Sequence, residues 1–97
     1  LMYYVSESPV HGRGLFASRT IVEGEVLGKL KGKPTTADGP HVLWITENRG
    51  FEVSCDLRCI NHSKQPNAIY YDDLTVVALC EIAPDEEIVH DYGDDWL

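Results

Sequence analysis

Long hydrophobic runs are missing from this 97-residue chain. No stretch approaches the roughly 20 apolar residues that a bilayer-spanning helix needs. The first residues also lack the basic start, apolar run and small-residue cleavage site that together mark a secretory leader. We therefore expect a soluble protein with no membrane partner. Secretion has no support in these residues, and a leader already removed is the alternative.

Cysteine is scarce as well, with three residues at spacings unlike a disulfide framework. Their odd number favours reduced thiols in an intracellular setting, and free cysteines are most often buried structural residues. The alternative is a zinc site in which Cys80 joins Cys55, Cys59 and His62 to complete four ligands. We expect buried thiols and no metal.

Basic residues are few, because 8 Lys and Arg stand against 16 Asp and Glu, giving a net charge of −8. From Asp72 onward there are nine acidic residues and no Lys or Arg. Such a field repels phosphate backbones and attracts cationic partners. We therefore expect a basic protein partner and no direct nucleic-acid binding. The plainer alternative is a solvated acidic face that keeps a small protein soluble.

Helical patterning is absent too, except for a single turn expected within residues 56–61. Short runs rich in β-branched and aromatic residues, separated by Gly, Pro, Asn and Asp, predict strands instead. These runs lie at residues 2–6, 14–17, 26–32, 41–46, 51–55, 68–72 and 74–81. We expect one mainly β domain over residues 1–97.

Turn chemistry separates the predicted strands. Residues 21–26 and 82–88 each predict a turn that delivers the chain into a strand, with left-handed backbone angles at Gly24 and Asp85. Residues 31–40 contain two Gly and two Pro, and they predict the one clear loop.

Three short motifs carry the functional signal. The first, Gly12-Arg13-Gly14, places two residues without a Cβ where backbone can approach a ligand closely. It lacks the third Gly and the following helix of a dinucleotide site, so a Rossmann fold is disfavoured and a plain hairpin turn is the alternative. The other two are Arg58-Cys59-Ile60-Asn61-His62-Ser63-Lys64-Gln65-Pro66-Asn67 and Glu86-Glu87-Ile88-Val89-His90-Asp91-Tyr92-Gly93.

In this order the motifs resemble a SET domain, the fold of protein lysine methyltransferases. The likeness is to minimal viral and bacterial forms, without the flanking pre-SET and post-SET zinc modules. It implies a β-clip-like fold of short strands in small sheets, with a knot-like C-terminal threading that brings Tyr92 beside Asn61. It also implies S-adenosylmethionine as the cofactor. The cofactor-binding residues implied are Gly12, Arg13, Gly14, Arg58, Asn61, His62 and Trp96.

The resemblance further implies that Tyr92 is catalytic and lines a lysine channel with Tyr70 and His90. A narrow apolar channel lowers the pKa of the lysine amine from about 10.4 and so delivers a neutral nucleophile. A tyrosine suits the channel because its ring is apolar and its hydroxyl can orient the reacting groups. Strand parity favours Tyr70 over Tyr71 as the second catalytic tyrosine. His90 departs from the Phe or Tyr usual at its position, so the resemblance does not fix the number of methyl groups added.

The implied activity is S-adenosylmethionine-dependent methylation of lysine in a basic protein or peptide, for which histone-like and ribosomal targets both fit. The insert between residues 33 and 56 is short for a peptide groove. We therefore expect a second copy, in a homodimer, or a further C-terminal segment to complete it. The competing class is a catalytically inactive SET-like module that binds basic partners through the acidic face.

Overall fold

The computed structural model describes residues 2–39, 41–71 and 73–92. In these residues the chain forms ten short strands and one turn of 3₁₀ helix. The strands are β1 (Tyr3–Glu7), β2 (Arg13–Ala17), β3 (Val26–Lys29), β4 (Gly32–Thr35), β5 (Val42–Thr46), β6 (Arg49–Val53), β7 (Asn61–His62), β8 (Ala68–Tyr70), β9 (Thr75–Ala78) and β10 (Glu87–His90), and the 3₁₀ helix is Asp56–Cys59. Strand content and the single helical turn agree with the predicted mainly β class.

The strands form three small sheets, with the orders β1-β2-β10-β7, β3-β9-β8 and β4-β6-β5. Their paired neighbours are antiparallel, except that β10 and β7 run parallel, with Val89 beside Asn61 and His90 beside His62. The last strand therefore enters the first sheet between β2 and β7. This pairing joins the second and third sequence motifs.

The core lies where the first two sheets and the 3₁₀ helix meet. Leu15 of β2, Leu57 of the helix and Ile88 of β10 are almost completely buried. Burying such a side chain stabilises the fold by about 1.5–3 kcal/mol. Ile21 and Ile82, also buried, form an antiparallel bridge that ties the two predicted turns together. The core thus fixes β2 and β10, the two strands that carry or adjoin the motifs.

Both predicted turns are confirmed, because Gly24 has φ 83° and Asp85 has φ 66°. The tyrosine hydroxyl of Tyr4 donates to the Asp85 carboxylate at 2.8 Å. An Asp tolerates this backbone angle better than most residues with a side chain.

The predicted loop at residues 31–40 is wrong in its first half, since β4 occupies Gly32–Thr35 and pairs antiparallel with β6. Pro34 is accepted because β4 is an edge strand, so the missing N–H removes no bond from a second neighbour. The predicted strand at residues 26–32 accordingly divides, with β3 ending at Lys29. No helix in the described part of the chain is long and apolar enough to cross a bilayer.

Candidate active site

The first motif, residues 12–14, ends the turn between β1 and β2 and begins β2, and we call it the glycine loop. Gly12 has φ 46°, in the left-handed region, and a Cβ built there would meet no other atom within 4 Å. Gly14 is buried, and a Cβ there would lie 2.9 Å from the Cβ of Ser8 and would also collide with Glu87. Glycine is therefore favoured at the two positions for different reasons: the backbone angle at Gly12 and the close approach of other side chains at Gly14.

The side chain of Asn61 joins the glycine loop to the second motif. Its amide group donates to the backbone carbonyls of His11 at 3.0 Å and Arg13 at 3.1 Å. It also lies 2.9 Å from a carboxylate oxygen of Glu87. Because these bonds engage the amide within the protein, Asn61 sets the position of the glycine loop, and a cofactor would meet mainly the backbone of this strand.

Glu87, at the start of β10, was missed as a site residue by the sequence reasoning. Its carboxylate receives the hydroxyl of Ser8 at 2.8 Å as well as the amide of Asn61. Glu87 thus links β10 to the turn after β1 through Ser8 and to β7 through Asn61. Its position beside another Glu in an acidic segment suggested surface charge, and no sequence signal separated the two. In the structure Glu87 pairs with Phe16 across the β2–β10 pair, and its carboxylate lies against Gly14.

His62 joins the second motif to the third. The backbone N–H of Tyr92 donates to Nδ1 of His62 at 3.0 Å. Since Nδ1 accepts this bond, the ring proton of a neutral His62 is on Nε2. The His62 side chain is 9% exposed, so the bond is well shielded from water. The resemblance expected Tyr92 beside Asn61, and this contact together with the β7–β10 pairing brings the two segments together.

Tyr70, His90 and Tyr92 form one aromatic cluster. The His90 ring stacks on Tyr70 with centroids 4.2 Å apart, and Tyr92 meets His90 edge-on at 5.0 Å. The Tyr92 hydroxyl donates to the Ile60 carbonyl at 2.7 Å and lies 3.0 Å from the Tyr70 hydroxyl. Because Tyr92 has only one proton to donate, Tyr70 is the donor in the second bond. Tyr71 points the other way and is 51% exposed.

The two tyrosines line a narrow pocket of about 40 Å³. Leu43 and Val53, from β5 and β6, form its apolar wall, and Arg58 lies at its edge. The Arg58 guanidinium donates to the carbonyls of Ser54 at 3.4 Å and Cys55 at 3.2 Å. Arg58, which the resemblance implied as a cofactor residue, therefore lies among the residues that surround the tyrosines.

In a comparison with protein-family models, the SET domain matches residues 12–93. The chain belongs to the SET domain family. A comparison with curated protein sequences found no match.

Among solved structures, this SET domain is similar to a Plasmodium falciparum protein provisionally named a histone methyltransferase. The TM-score is 0.75 and the identity 20%, and the alignment covers 98% of this chain and 96% of the other. At this identity the likeness establishes the fold alone. It confirms the predicted SET-type arrangement of short strands in small sheets.

Burial controls the protonation of the aromatic cluster in this SET domain. It raises the pKa of Tyr70, and the neighbouring Tyr92 raises it further. Burial also raises the pKa of Tyr92. Both phenols therefore stay protonated at neutral pH and act as hydrogen-bonding groups, since tyrosinate is not accessible there as a base.

His90 is half-buried, and its surroundings favour the neutral form. Burial lowers its pKa, and the Ala68 carbonyl and Asp91 offset only part of that effect. Its Nδ1 lies 3.1 Å from the Ala68 carbonyl oxygen, which can only accept, so Nδ1 carries the proton. The ring is thus fixed in one tautomer against Tyr70.

The remaining predicted residues have separate outcomes. The Arg13 side chain is exposed at the glycine loop. Trp96, with Gly93 of the third motif, lies outside the described residues.

The three cysteines differ in exposure. Cys55 and Cys59 are half-buried free thiols, whereas Cys80 is exposed. The predicted burial was wrong for Cys80 because this residue follows the end of β9, outside the core. Among the described residues no three His, Cys, Asp or Glu side chains are grouped to hold a metal ion.

Proposed function

We propose that this SET domain is a protein-lysine N-methyltransferase that uses S-adenosylmethionine. The observation that carries the proposal is the linkage of all three motifs, through Asn61, Glu87 and His62, beside a narrow pocket lined by Tyr70 and Tyr92. Membership of the family supports the methyltransferase class. The cofactor and the acceptor are inferred from the chemistry of the site.

The residues around the glycine loop fit the cofactor. Open space at Gly12, where a Cβ would meet nothing within 4 Å, leaves the backbone accessible. Among the described residues β7 is an edge strand, so no further strand of that part of the chain pairs with the outer main-chain groups of Asn61 and His62. These groups would hold the amino-acid end of S-adenosylmethionine. When bound, the cofactor supplies a methyl group on a sulfonium, which a neutral amine can accept.

The pocket residues prepare the lysine. A lysine side chain that enters between Leu43, Val53 and the tyrosines leaves water, and burial lowers the pKa of its ammonium group. The proton leaves to solvent, because the pKa values of Tyr70 and Tyr92 are raised and neither phenol is a base at neutral pH. Tyr92 is held at its hydroxyl by Ile60 and Tyr70, which fixes the catalytic oxygen before the substrate arrives.

The acceptor is proposed to be a lysine in a protein that is basic overall. The net charge of −8 favours encounter with cationic proteins over a distance of about a Debye length. A second copy of the chain, or further residues, would complete the surface around the pocket.

The proposal is tested by calorimetric titration with S-adenosylmethionine and its demethylated product, followed by mass spectrometry of purified histones incubated with protein and cofactor. The site variant is Gly12→Asn, because Asn tolerates the left-handed angle and fills the open space. The matched control is Gly24→Asn, at φ 83° and equally open. We expect Gly12→Asn to remain folded and lose cofactor binding, and Gly24→Asn to bind normally. A folded wild-type protein that binds histones and transfers no methyl group would instead support an inactive interaction module.

A further inference from the structure

A second and larger cavity, of about 780 Å³, opens between the β4-β6-β5 sheet and the turn that precedes β9. We call it the flank groove. Its apolar surface comes from Pro34, Ile45, Phe51 and Leu74. Its volume falls in the range of pockets that enclose ligands. The tyrosine pocket, of about 40 Å³, is much smaller, so the groove has room for more than one side chain.

The flank groove continues the tyrosine pocket along one face of β6. Phe51 lines the groove and Val53 lines the tyrosine pocket. These residues are two apart in the same strand, so their side chains share a face and lie about 7 Å apart. Leu43, which pairs with Phe51 across the sheet, also lines the tyrosine pocket. A peptide with its lysine in the pocket would therefore place neighbouring residues in the groove.

Leu74 lies in the groove at a backbone angle that disfavours its side chain. Its φ is 73°, in the left-handed region where Gly or Asn is usual. Hydrogen bonds of 2.8 Å hold its backbone N–H to Tyr71 and its carbonyl to Leu30. Strained residues of this kind cluster at binding and switch sites. The leucine side chain contributes apolar surface at a position where turn chemistry alone favours another residue.

The charge of the groove opposes that of the chain. The charged residues that line it are Lys29, Arg49 and Asp73, a net charge of +1 in a chain of −8. The pKa of Asp73, on the opposite wall, is lowered by hydrogen bonds from Thr75 and further by Lys29. In the part of the chain that the structure describes, Arg49 forms no ion pair with a carboxylate. Arg49 is thus placed to receive an acidic group.

We propose that the flank groove binds the residues of the protein substrate that adjoin the target lysine, and that it selects an apolar residue next to an acidic one. The apolar residue packs on Phe51 and Leu74, and the acidic residue pairs with Arg49. This proposal rests on the proposed lysine methylation. The net negative charge acts over distance on a substrate that is basic overall, whereas the groove acts on the few residues in contact with it.

The test uses three lysine peptides of equal length, flanked on both sides by apolar and acidic, apolar and basic, or acidic and small polar residues. Binding is measured by fluorescence anisotropy, and methyl transfer by mass spectrometry with S-adenosylmethionine. We expect the apolar-acidic peptide to have the lowest KM, with about a fivefold advantage over the apolar-basic one. Arg49→Glu should reverse that order and leave kcat unchanged.

Two variants keep the test specific. Lys33→Glu makes the same charge change on the other face of the sheet, where Lys33 pairs with Glu52, and should leave the order unchanged. Leu74→Asn suits the left-handed angle and should fold, yet lose the preference for the apolar flank. Equal KM values for all peptides, with methyl transfer intact, would overturn the groove proposal alone. The expected binding order without transfer to any peptide would overturn the proposed activity and leave the groove standing.

Discussion

The side-chain amide of Asn61 lies 2.9 Å from the carboxylate of Glu87, which joins strands that are 26 residues apart in the chain. The same amide holds the carbonyls of His11 and Arg13. Glu87 is in turn held by the hydroxyl of Ser8. The shape of the glycine loop therefore depends on a carboxylate from a different strand, β10.

Removing this carboxylate should loosen the loop. In Glu87→Ala, Asn61 and Ser8 each lose an acceptor, which should lower the free energy of unfolding by about 1–3 kcal/mol and weaken S-adenosylmethionine binding. Glu87→Gln keeps one acceptor oxygen and should lie between Ala and wild type. Urea unfolding and calorimetry measure the two effects. The control is Glu23→Ala, at an exposed turn position. Equal behaviour of the Glu87 and Glu23 variants would remove Glu87 from the site.

Replacing Tyr92 with Phe should separate catalysis from cofactor binding. The variant loses the bonds to Ile60 and Tyr70, so the lysine is misaligned, and turnover should fall about 100-fold. Cofactor affinity should be nearly unchanged, because the bond from the Tyr92 backbone to His62 remains. Single-turnover kinetics and calorimetry give both quantities. Tyr71→Phe, at an exposed ring, should leave both unchanged. A parallel loss of binding and turnover in Tyr92→Phe would mean that Tyr92 is structural.

The lowered pKa of His90 gives stability a defined pH dependence. Because burial depresses its pKa in the folded state, the unfolded chain binds this proton more readily once pH drops below about 6.5. The stabilisation is present above that pH and is lost as pH falls through the folded pKa. His90→Phe cannot titrate, so its unfolding free energy should fall less between pH 7.5 and pH 5.5. Urea unfolding at the two pH values, with His11→Gln as the control, measures this. An undiminished fall in His90→Phe would place the titrating group elsewhere.

Asn67 should be more sensitive to substitution than its polarity suggests. It is 5% exposed, and its side chain accepts the Val89 N–H at 2.9 Å and donates to the Glu87 carbonyl at 2.8 Å. Asn67→Ala leaves both backbone groups of β10 unpaired, at a cost of about 2 kcal/mol or more. Asn48→Ala, at an exposed position, should change stability by less than about 0.5 kcal/mol. Thermal and urea unfolding provide the comparison, and similar losses in both variants would contradict this role for Asn67.

Methyl transfer to a basic protein should weaken as salt is added. A chain of net charge −8 attracts such a substrate through a field that ions screen, with a Debye length of about 10 Å at 0.1 M salt. We expect kcat/KM to fall between 0.05 and 0.5 M NaCl with little change in kcat. These are trial concentrations around the physiological ionic strength of about 0.15 M. A flat profile of kcat/KM would show that the acidic surface does not guide the substrate.

Much of the fold could be predicted from the sequence because its signals are local. The left-handed angles at Gly24 and Asp85 follow from turn chemistry over a few residues. The strands follow from β-branched runs, and β4 was missed because Gly32 and Pro34 resemble a loop until the pairing with β6 is known. An edge position overrides a residue's local preference, and a sequence alone does not reveal which strand is at an edge.

The sequence motifs of the site could be found in advance, whereas the contacts between their side chains could not. The sequence singled out the glycine loop, Asn61, His62 and Tyr92, yet it could not show that the Asn61 amide is engaged within the protein. Nor could it show that Glu87 differs from Glu86. Glu87 begins β10 and accepts from Asn61, whereas Glu86 precedes the strand and accepts from the Ala83 N–H. The cationic flank groove depends on two sheets meeting, which no single segment encodes.

The central place of β10 has a consequence for how the protein is made. Its partners β2 and β7 leave the ribosome well before residues 87–92, and until then each has an unpaired edge that invites wrong pairing. This short segment supplies the Glu87 carboxylate that holds the Asn61 amide, and it also supplies Tyr92. A chain that stops before this segment would possess most of its strands and lack Glu87 and Tyr92, so the proposed methyl transfer would require the finished fold.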